Sequence, residues 1–255
     1  MRITKRDRVL LSFAADHRFV QPAHVGALLG VSIRSAEARL RALSTAGLLI
    51  RKRWLHGHPA CYQVTGAGLG AIGSDLPRPR IDLRSYEHDV GLAWLWLAAR
   101  DGRFGPMREV LAERQLRSRD GAAAAPSSAA AQGERGRPLG VRLGGVGPAG
   151  RERLHYPDLL LTTDDGHRIA VELELSSKGR TRREKILAGY GADARIDAVL
   201  YLVEHTAIGR AISTAARRLG ISDRVHVQRV RIGVPRASGG SLRAAERLRE
   251  AEVAR

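Results

Sequence analysis

The stretch Tyr156–Gly179, YPDLLLTTDDGHRIAVELELSSKG, sets Asp158 at the head of one apolar run and Glu172 and Glu174 inside the next. Residues two apart in a strand share a face. Glu172 and Glu174 then project together, with Ile169, Val171, Leu173 and Leu175 on the other side. An antiparallel strand starting at Pro157-Asp158 would bring a third carboxylate beside them. Oxygen ligands gathered in this way suit Mg2+ or Mn2+. Such an ion activates water and stabilises the oxygen leaving a phosphodiester. Asp158, Glu172 and Glu174 are therefore the candidate metal ligands and catalytic acids of the chain. The plainer alternative is that they decorate an ordinary β-hairpin.

The elements that must position these acids follow from the hydrophobic pattern. DLLLTT and HRIAVELELS read as a hairpin around the turn signal DDG. RTRREKILAGYGAD reads as a helix, AVLYLVEH as an interior strand, AIGRAISTAARRLG as a helix and RVHVQRVRIG as a strand. Upstream, SYEHDVGLAWLWLAAR is apolar nearly all round and predicts a buried helix, and REVLAERQLRS predicts a strand. Residues 118–153 are dominated by Gly, Ala, Pro and Ser and read as a flexible insertion. The result is an α-β-(insertion)-β-β-α-β-α-β domain over 77–235, a mixed sheet flanked by helices, followed by a charged tail over 236–255.

Basic residues crowd behind the acids: SSKGRTRREKIL holds Lys178, Arg180, Arg182, Arg183 and Lys185. They form either a solvated helix face or a set of phosphate contacts, Arg182 and Arg183 foremost, that lay a nucleic-acid backbone across the carboxylates. Glu87, His88 and Asp89 open the buried helix. Acids favour helix starts, so Asp89 reads as a cap and His88 as a core hydrogen-bonding group, while Glu87 is open to a role at the site. Glu113 reads as a salt-bridged surface residue.

The net charge is +17 over 255 residues, and the first 80 residues hold 13 Lys and Arg against 4 Asp and Glu, a net +9. Such an excess draws polyanions by Coulomb steering and counterion release. In the same stretch, residues 6–20 read as a helix with Val9, Leu10, Phe13 and Ala14 on one stripe. QPAHVGALLG reads as a second helix, with Pro22 in its first turn and Gly30 at its end. A third, entered at Ser32, turns Ala36, Leu40 and Leu43 inward, and two short strands follow. Helix, helix, turn, helix and hairpin within residues 1–76 is the order of a winged helix-turn-helix. Arg34, Ser35, Arg39 and Arg41 lie on its outward face, where Ser and Arg reach base edges. Arg51, Lys52, Arg53, His56 and His58 lie on the hairpin, apt for phosphates. The expected partner is double-stranded DNA, with a homodimer possible. A protein-docking role for this unit is the alternative.

The hydrophobic fraction, 44%, supports a packed core, and Cys61 is the only cysteine, which rules out an intrachain disulfide and a cysteine-rich zinc site. No run approaches a membrane span, and the N-terminal apolar run is too short for a signal peptide. A cytoplasmic protein without membrane association is expected. No G-x-S-x-G elbow supports a serine hydrolase.

The pairing of Pro157-Asp158 with Glu172-Leu173-Glu174 resembles the PD-(D/E)XK nuclease-like fold. With YQVTGAGLGAIG, EHDVGLAWLWLAA, VLAERQLR and YPDLLL…VELELSSKGRTRREKILAGY, the chain is similar to replication-relaxation family proteins over nearly all its length except 118–153 and the tail. This implies a fold that is α/β, or α+β overall: an N-terminal winged helix-turn-helix and a mixed-sheet, restriction-endonuclease-like domain. It also implies a bacterial DNA-binding protein of plasmid or mobile-element replication. Glu174 stands where the nuclease motif has lysine; some restriction enzymes of this fold tolerate glutamate there, and a displaced lysine, Lys178 or Lys185, is also available. The resemblance therefore leaves two functions: a DNA-binding regulator with a catalytically degenerate nuclease-like domain, or an endonuclease dependent on Mg2+ or Mn2+.

Overall fold

The computed structural model describes residues 2–123, 138–147, 150 and 152–231. The chain is mixed α/β and divides into two compact units, one running to Leu97 and the other spanning Ala98–Arg229.

The first unit opens with α1 (Lys5–Asp16), capped by Thr4, whose side chain accepts from the Asp7 amide while the Asp7 carboxylate accepts from Thr4. The helix stops four residues before the expected Val20. His17 is already extended, and Val20 is used elsewhere: it exchanges backbone hydrogen bonds with Tyr62 (2.9 and 2.8 Å). Leu10, Leu11, Phe13 and Ala14 face the core, whereas Val9 is exposed. Helix α2 (Pro22–Leu29) starts on proline and ends at Gly30, whose φ of 63° is left-handed. Helix α3 (Ile33–Thr45) is capped by Ser32 and buries Ala36, Leu40 and Leu43. Strands β1 (Leu49–Lys52) and β2 (Cys61–Val64) pair antiparallel, Leu49 opposite Val64. Helix α4 (Gly66–Ile72) docks through Gly68, where a β-carbon would stand 2.2 Å from the Leu48 carbonyl.

Helix α5 (Tyr86–Arg100) contributes to the core of this first unit. Ala93 and Leu97 join Leu10, Phe13, Leu40 and Leu43 in one apolar cluster, and Val90 and Tyr86 pack with Phe19. The division between units therefore falls within α5, some way past the boundary at 76/77 that the Pro/Arg-rich stretch suggests. Asp89 is buried and pairs with Arg18 (2.6 Å). Glu87 is exposed, and His88 is half-buried with Nδ1 3.9 Å from Asp89.

His24 is fully buried, and its Nδ1 accepts the Gln21 amide at 3.1 Å. Burial, and then the charge of His17, push its pKa from 6.5 down to about 3. The unfolded chain therefore binds a proton near pH 6.5 that the folded chain refuses until about pH 3. Stability is full above pH 6.5 and falls by about 1.4 kcal/mol per pH unit below it. Denaturant melts at stepped pH check this: His24→Gln should lose that slope, and an unchanged slope would assign it elsewhere.

The second unit is built on a five-stranded sheet of order β3-β6-β7-β8-β9: β3 (Met107–Ala112), β6 (Leu159–Thr163), β7 (Arg168–Glu174), β8 (Ala198–Val203) and β9 (Val225–Arg229). β6 runs antiparallel to both neighbours, while β7, β8 and β9 run parallel. The β6–β7 connection is tight: Thr163 N donates to His167 O, and Gly166 takes a φ of 94°. Helix α7 (Arg180–Ala192) and helix α8 (Thr206–Arg218) bury Ile186, Leu187, Tyr190, Ile208 and Ile212 in one cluster with Leu160, Ala170, Val199 and Val225. Each aliphatic side chain buried here contributes about 1.5–3 kcal/mol. Arg224 closes the end of α7, donating to the carbonyls of Gly191 (3.1 Å) and Asp193 (3.0 Å), a cation at the negative end of a helix.

Two expectations change in this unit. REVLAERQLRS is not one strand: β3 ends at Ala112 and α6 (Glu113–Ala123) begins at once. The Gln115 side chain accepts the Ala112 amide, and the Glu113 amide donates to Asp158 O, which turns the chain. Glu113 is thus in the first turn of a helix, paired with Arg117 (2.8 Å). The stretch 118–153 is not wholly a loose insertion either. α6 runs into it, and β4 (Val141–Val146) pairs antiparallel with β5 (Glu152–His155). Val141 is 1% exposed within the core, and Gly189 of α7 approaches so closely that a β-carbon would sit 2.7 Å from Arg142 O. Residues 124–137, and the tail 236–255, lie outside the described residues.

Candidate functional site

Strand register decides where the three acids go. Leu159 lies opposite Val171, which sets Asp158 beside Glu172, and Glu172 lies beside Tyr201 of β8. Glu174 is one step along the same face. All three carboxylates therefore stand on the sheet face that α7 covers, while Leu159, Val171 and Leu173 are buried on the reverse. Glu172 is 1% exposed and Glu174 6%.

Each carboxylate is held by named partners. Asp158 Oδ2 accepts the Leu173 amide at 2.8 Å. Glu172 Oε1 accepts the Tyr190 hydroxyl and lies 2.6 Å from His155 Nε2. Lys178 returns over the strand end: its Nζ is 2.6 Å from Glu174 Oε2 and 3.9 Å from Glu172 Oε2. It so supplies, four residues later, an ammonium group beside the two glutamates. Lys185 is exposed on α7.

The electrostatics follow from burial. Burial raises the Glu174 pKa, Lys178 opposes it, and Glu172 and Asp158 add to the rise. Burial pulls the Lys178 ammonium down, yet Glu172 and Glu174 outweigh it and its pKa lies above the ordinary value. Burial, and then Glu172, push the Tyr190 hydroxyl well up, so it stays a donor. Tyr201 is raised in the same way. The set carries three carboxylates against one lysine and one histidine.

His155, Tyr190 and Tyr201 complete this cluster and were absent from the residues singled out by sequence. The only signal lay in position: His155 stands three residues before Asp158, and Tyr190 two turns beyond Arg183 on the covering helix.

The fit of this cluster to a divalent ion is poor. Among the described residues, no group of three His, Cys, Asp or Glu side chains is arranged to hold a metal. Glu172 gives one oxygen to Tyr190 and His155, and Glu174 gives one to Lys178. The arrangement is a hydrogen-bonded ion cluster in which carboxylates outnumber cations.

The basic residues also separate. Arg39, expected to face outward from α3, turns back on Asp7: Nε donates to Oδ1 at 2.5 Å and Nη2 to Oδ2. Asp7 is 1% exposed. Burial would raise its pKa, but hydrogen bonds from Arg39 and Thr4 prevail and lower it to about 2. Arg39 is therefore an ion-pair partner of Asp7, and its side chain is still 36% exposed. Arg41 is exposed and pairs with Glu37 (2.7 Å). Ser35 is engaged in the cap, its Oγ 2.9 Å from Ser32 Oγ. Arg34, Arg51, Lys52 and Arg53 are exposed. Arg182 is exposed on α7, and Arg183 is half-buried, with Nη1 donating to Lys178 O at 3.2 Å.

No protein-family model matches the chain, and no curated protein or solved structure matches it. No helix among the described residues is long and apolar enough to cross a membrane.

Proposed function

We propose that the protein binds double-stranded DNA through α3 and the β1–β2 hairpin, in the manner of a winged helix-turn-helix. Its second unit then serves as a nuclease-like scaffold whose acids are already engaged by Lys178, His155, Tyr190 and the Leu173 amide. The observation that carries this reading is the division among the N-terminal cations. Arg39 and Arg41 are spent on Asp7 and Glu37, while Arg34 at the start of α3 and Arg51, Lys52 and Arg53 at the hairpin stand exposed and make no ion pair among the described residues. Cations so presented neutralise phosphates, and a helix entered at its N-terminal turn reads base edges. The isolated Val20–Tyr62 bridge ties the segment after α1 to the hairpin, which steadies it. The resemblance to replication-relaxation proteins supplies the setting, replication or regulation of a plasmid or mobile element.

A second reading, an endonuclease dependent on Mg2+ or Mn2+, is favoured by one observation: Lys178 Nζ sits beside Glu172 and Glu174, so the lysine missing at 174 is supplied from 178. Supercoiled plasmid, incubated with each ion, separates the two. The expected result is duplex binding with no nicking above that of Asp158→Ala. Nicking by the unaltered protein that Asp158→Ala abolishes would replace the first reading with the second.

A further inference from the structure

Helices α7 and α8 bound a cleft of about 280 Å³, open to solvent, lined by Arg180, Arg183, Glu184, Arg210, Thr214 and Arg218. Four guanidinium groups face one carboxylate. Glu184 Oε1 accepts from Arg180 Nε (2.9 Å) and from Arg218 Nη1 (2.7 Å), so a single oxygen gathers one arginine from each helix. The Glu184 pKa is lowered, first by its hydrogen bond with Arg180, then by the charges of Arg180, Arg218 and Arg183, so it is ionised at neutral pH. Three positive charges remain uncompensated across the cleft. Arg183 Nε is buried there without a hydrogen-bond partner, a vacancy that ordinarily costs stability. Arg210 is exposed and makes no ion pair among the described residues.

A solvated helix face spreads its cations outward. Here two helices aim theirs into one concavity, and a carboxylate orients two of them while neutralising only one charge. Planar guanidinium forks arranged in this way match tetrahedral oxyanions, which accept two hydrogen bonds from each fork. Thr214 adds a hydroxyl. The volume exceeds that of a phosphate group alone and admits the ester it belongs to.

We propose that the α7–α8 cleft binds a phosphate ester, with Arg183 and Arg210 as direct donors and Arg180 and Arg218 held in place by Glu184. The source is either the phosphodiester backbone of a nucleic-acid strand or the monoester of a free nucleotide or 5′ end. The assignment is independent of DNA binding by α3.

Calorimetric titration of the full chain tests it. The probes are adenosine monophosphate and one short single-stranded oligonucleotide prepared with a 5′-hydroxyl or a 5′-phosphate. The double variant Arg210→Ala/Arg218→Ala removes exposed cations only, and Arg217→Ala, outside the cleft lining, controls for general charge. Binding of at least one probe, weakened tenfold or more in the double variant and less than threefold in Arg217→Ala, is the expected result. Preference for the nucleotide or the phosphorylated oligonucleotide marks a monoester site; equal binding of both oligonucleotides without the nucleotide marks a backbone site. Absence of binding by every probe, or equal weakening in the two variants, overturns the proposal. The α3 and hairpin cations are intact throughout, so failure here leaves the duplex-binding reading standing.

Discussion

Replacing Arg34, Arg51, Lys52 and Arg53 together with alanine should flatten the salt dependence of duplex binding as well as weaken it. Each cation that neutralises a phosphate releases counterions and adds about 0.9 to the slope of log affinity against log salt. Four lost contacts reduce that slope by up to ~3.6. Between 50 and 200 mM salt, this amounts to roughly a hundredfold less salt-induced weakening in the variant than in the unaltered protein. Fluorescence anisotropy across a salt series reads both quantities. All four side chains are exposed, and such substitutions ordinarily shift stability by no more than about 0.5 kcal/mol. A parallel unfolding curve should therefore be unchanged. Retention of the full slope would remove α3 and the hairpin as the interface. Arg39→Ala would be a misleading choice, because it strands the buried Asp7 carboxylate, and any loss of binding would then report on folding.

Local chemistry was readable in the chain and long-range partnership was not. Pro22, Gly30 and Ser32 mark the ends of α2 and α3 because caps depend on a few adjacent residues. The period of two in VELEL puts Glu172 and Glu174 on one face, and the DDG turn fixes the register that brings Asp158 alongside. By contrast, Arg39 looks outward in any helical projection, and only the fold shows that Asp7, 32 residues earlier, turns it inward. Tyr190 meets Glu172 because α7 folds back over the sheet. β4 was hidden by composition: GVRLGG carries few apolar residues, yet Val141 is buried because Gly189 leaves room for its backbone. In VLAERQLR the apolar spacing serves a strand or a helix equally. The bonds made by Gln115 and Asp158 divide it, and neither is visible from periodicity.

The acid cluster and the arginine cleft share a connection that bears on how the second unit works. Arg183 lines the cleft and also holds the Lys178 carbonyl, while the Lys178 ammonium closes on Glu174. The segment 175–179 is thereby tied at both its side-chain and backbone ends. A phosphate drawn to Arg183 would lie one residue contact from the acids without requiring them to release their partners.

Lys178→Met should therefore destabilise the protein by about 3–5 kcal/mol, the usual cost of removing one partner from a buried pair. The lysine side chain is 25% exposed and that of Glu174 only 8%, so solvent replaces the ammonium poorly. Lys178→Met/Glu174→Gln should recover much of the loss, since the carboxylate left unpaired is gone. The deficit of the single variant should also depend on pH. Burial already raises the Glu174 pKa, and without Lys178 it rises further. A carboxyl whose folded-state pKa exceeds its unfolded value penalises folding above that range and not below it. The single variant should then be weakest at neutral pH and approach the unaltered protein as the pH falls through the carboxylate range. Urea titrations of the three proteins at pH 7 and pH 5 measure this. If Lys178→Met instead folds as stably as the unaltered protein while losing a plasmid-nicking activity that the latter possesses, the lysine serves catalysis and the scaffold reading of the second unit fails.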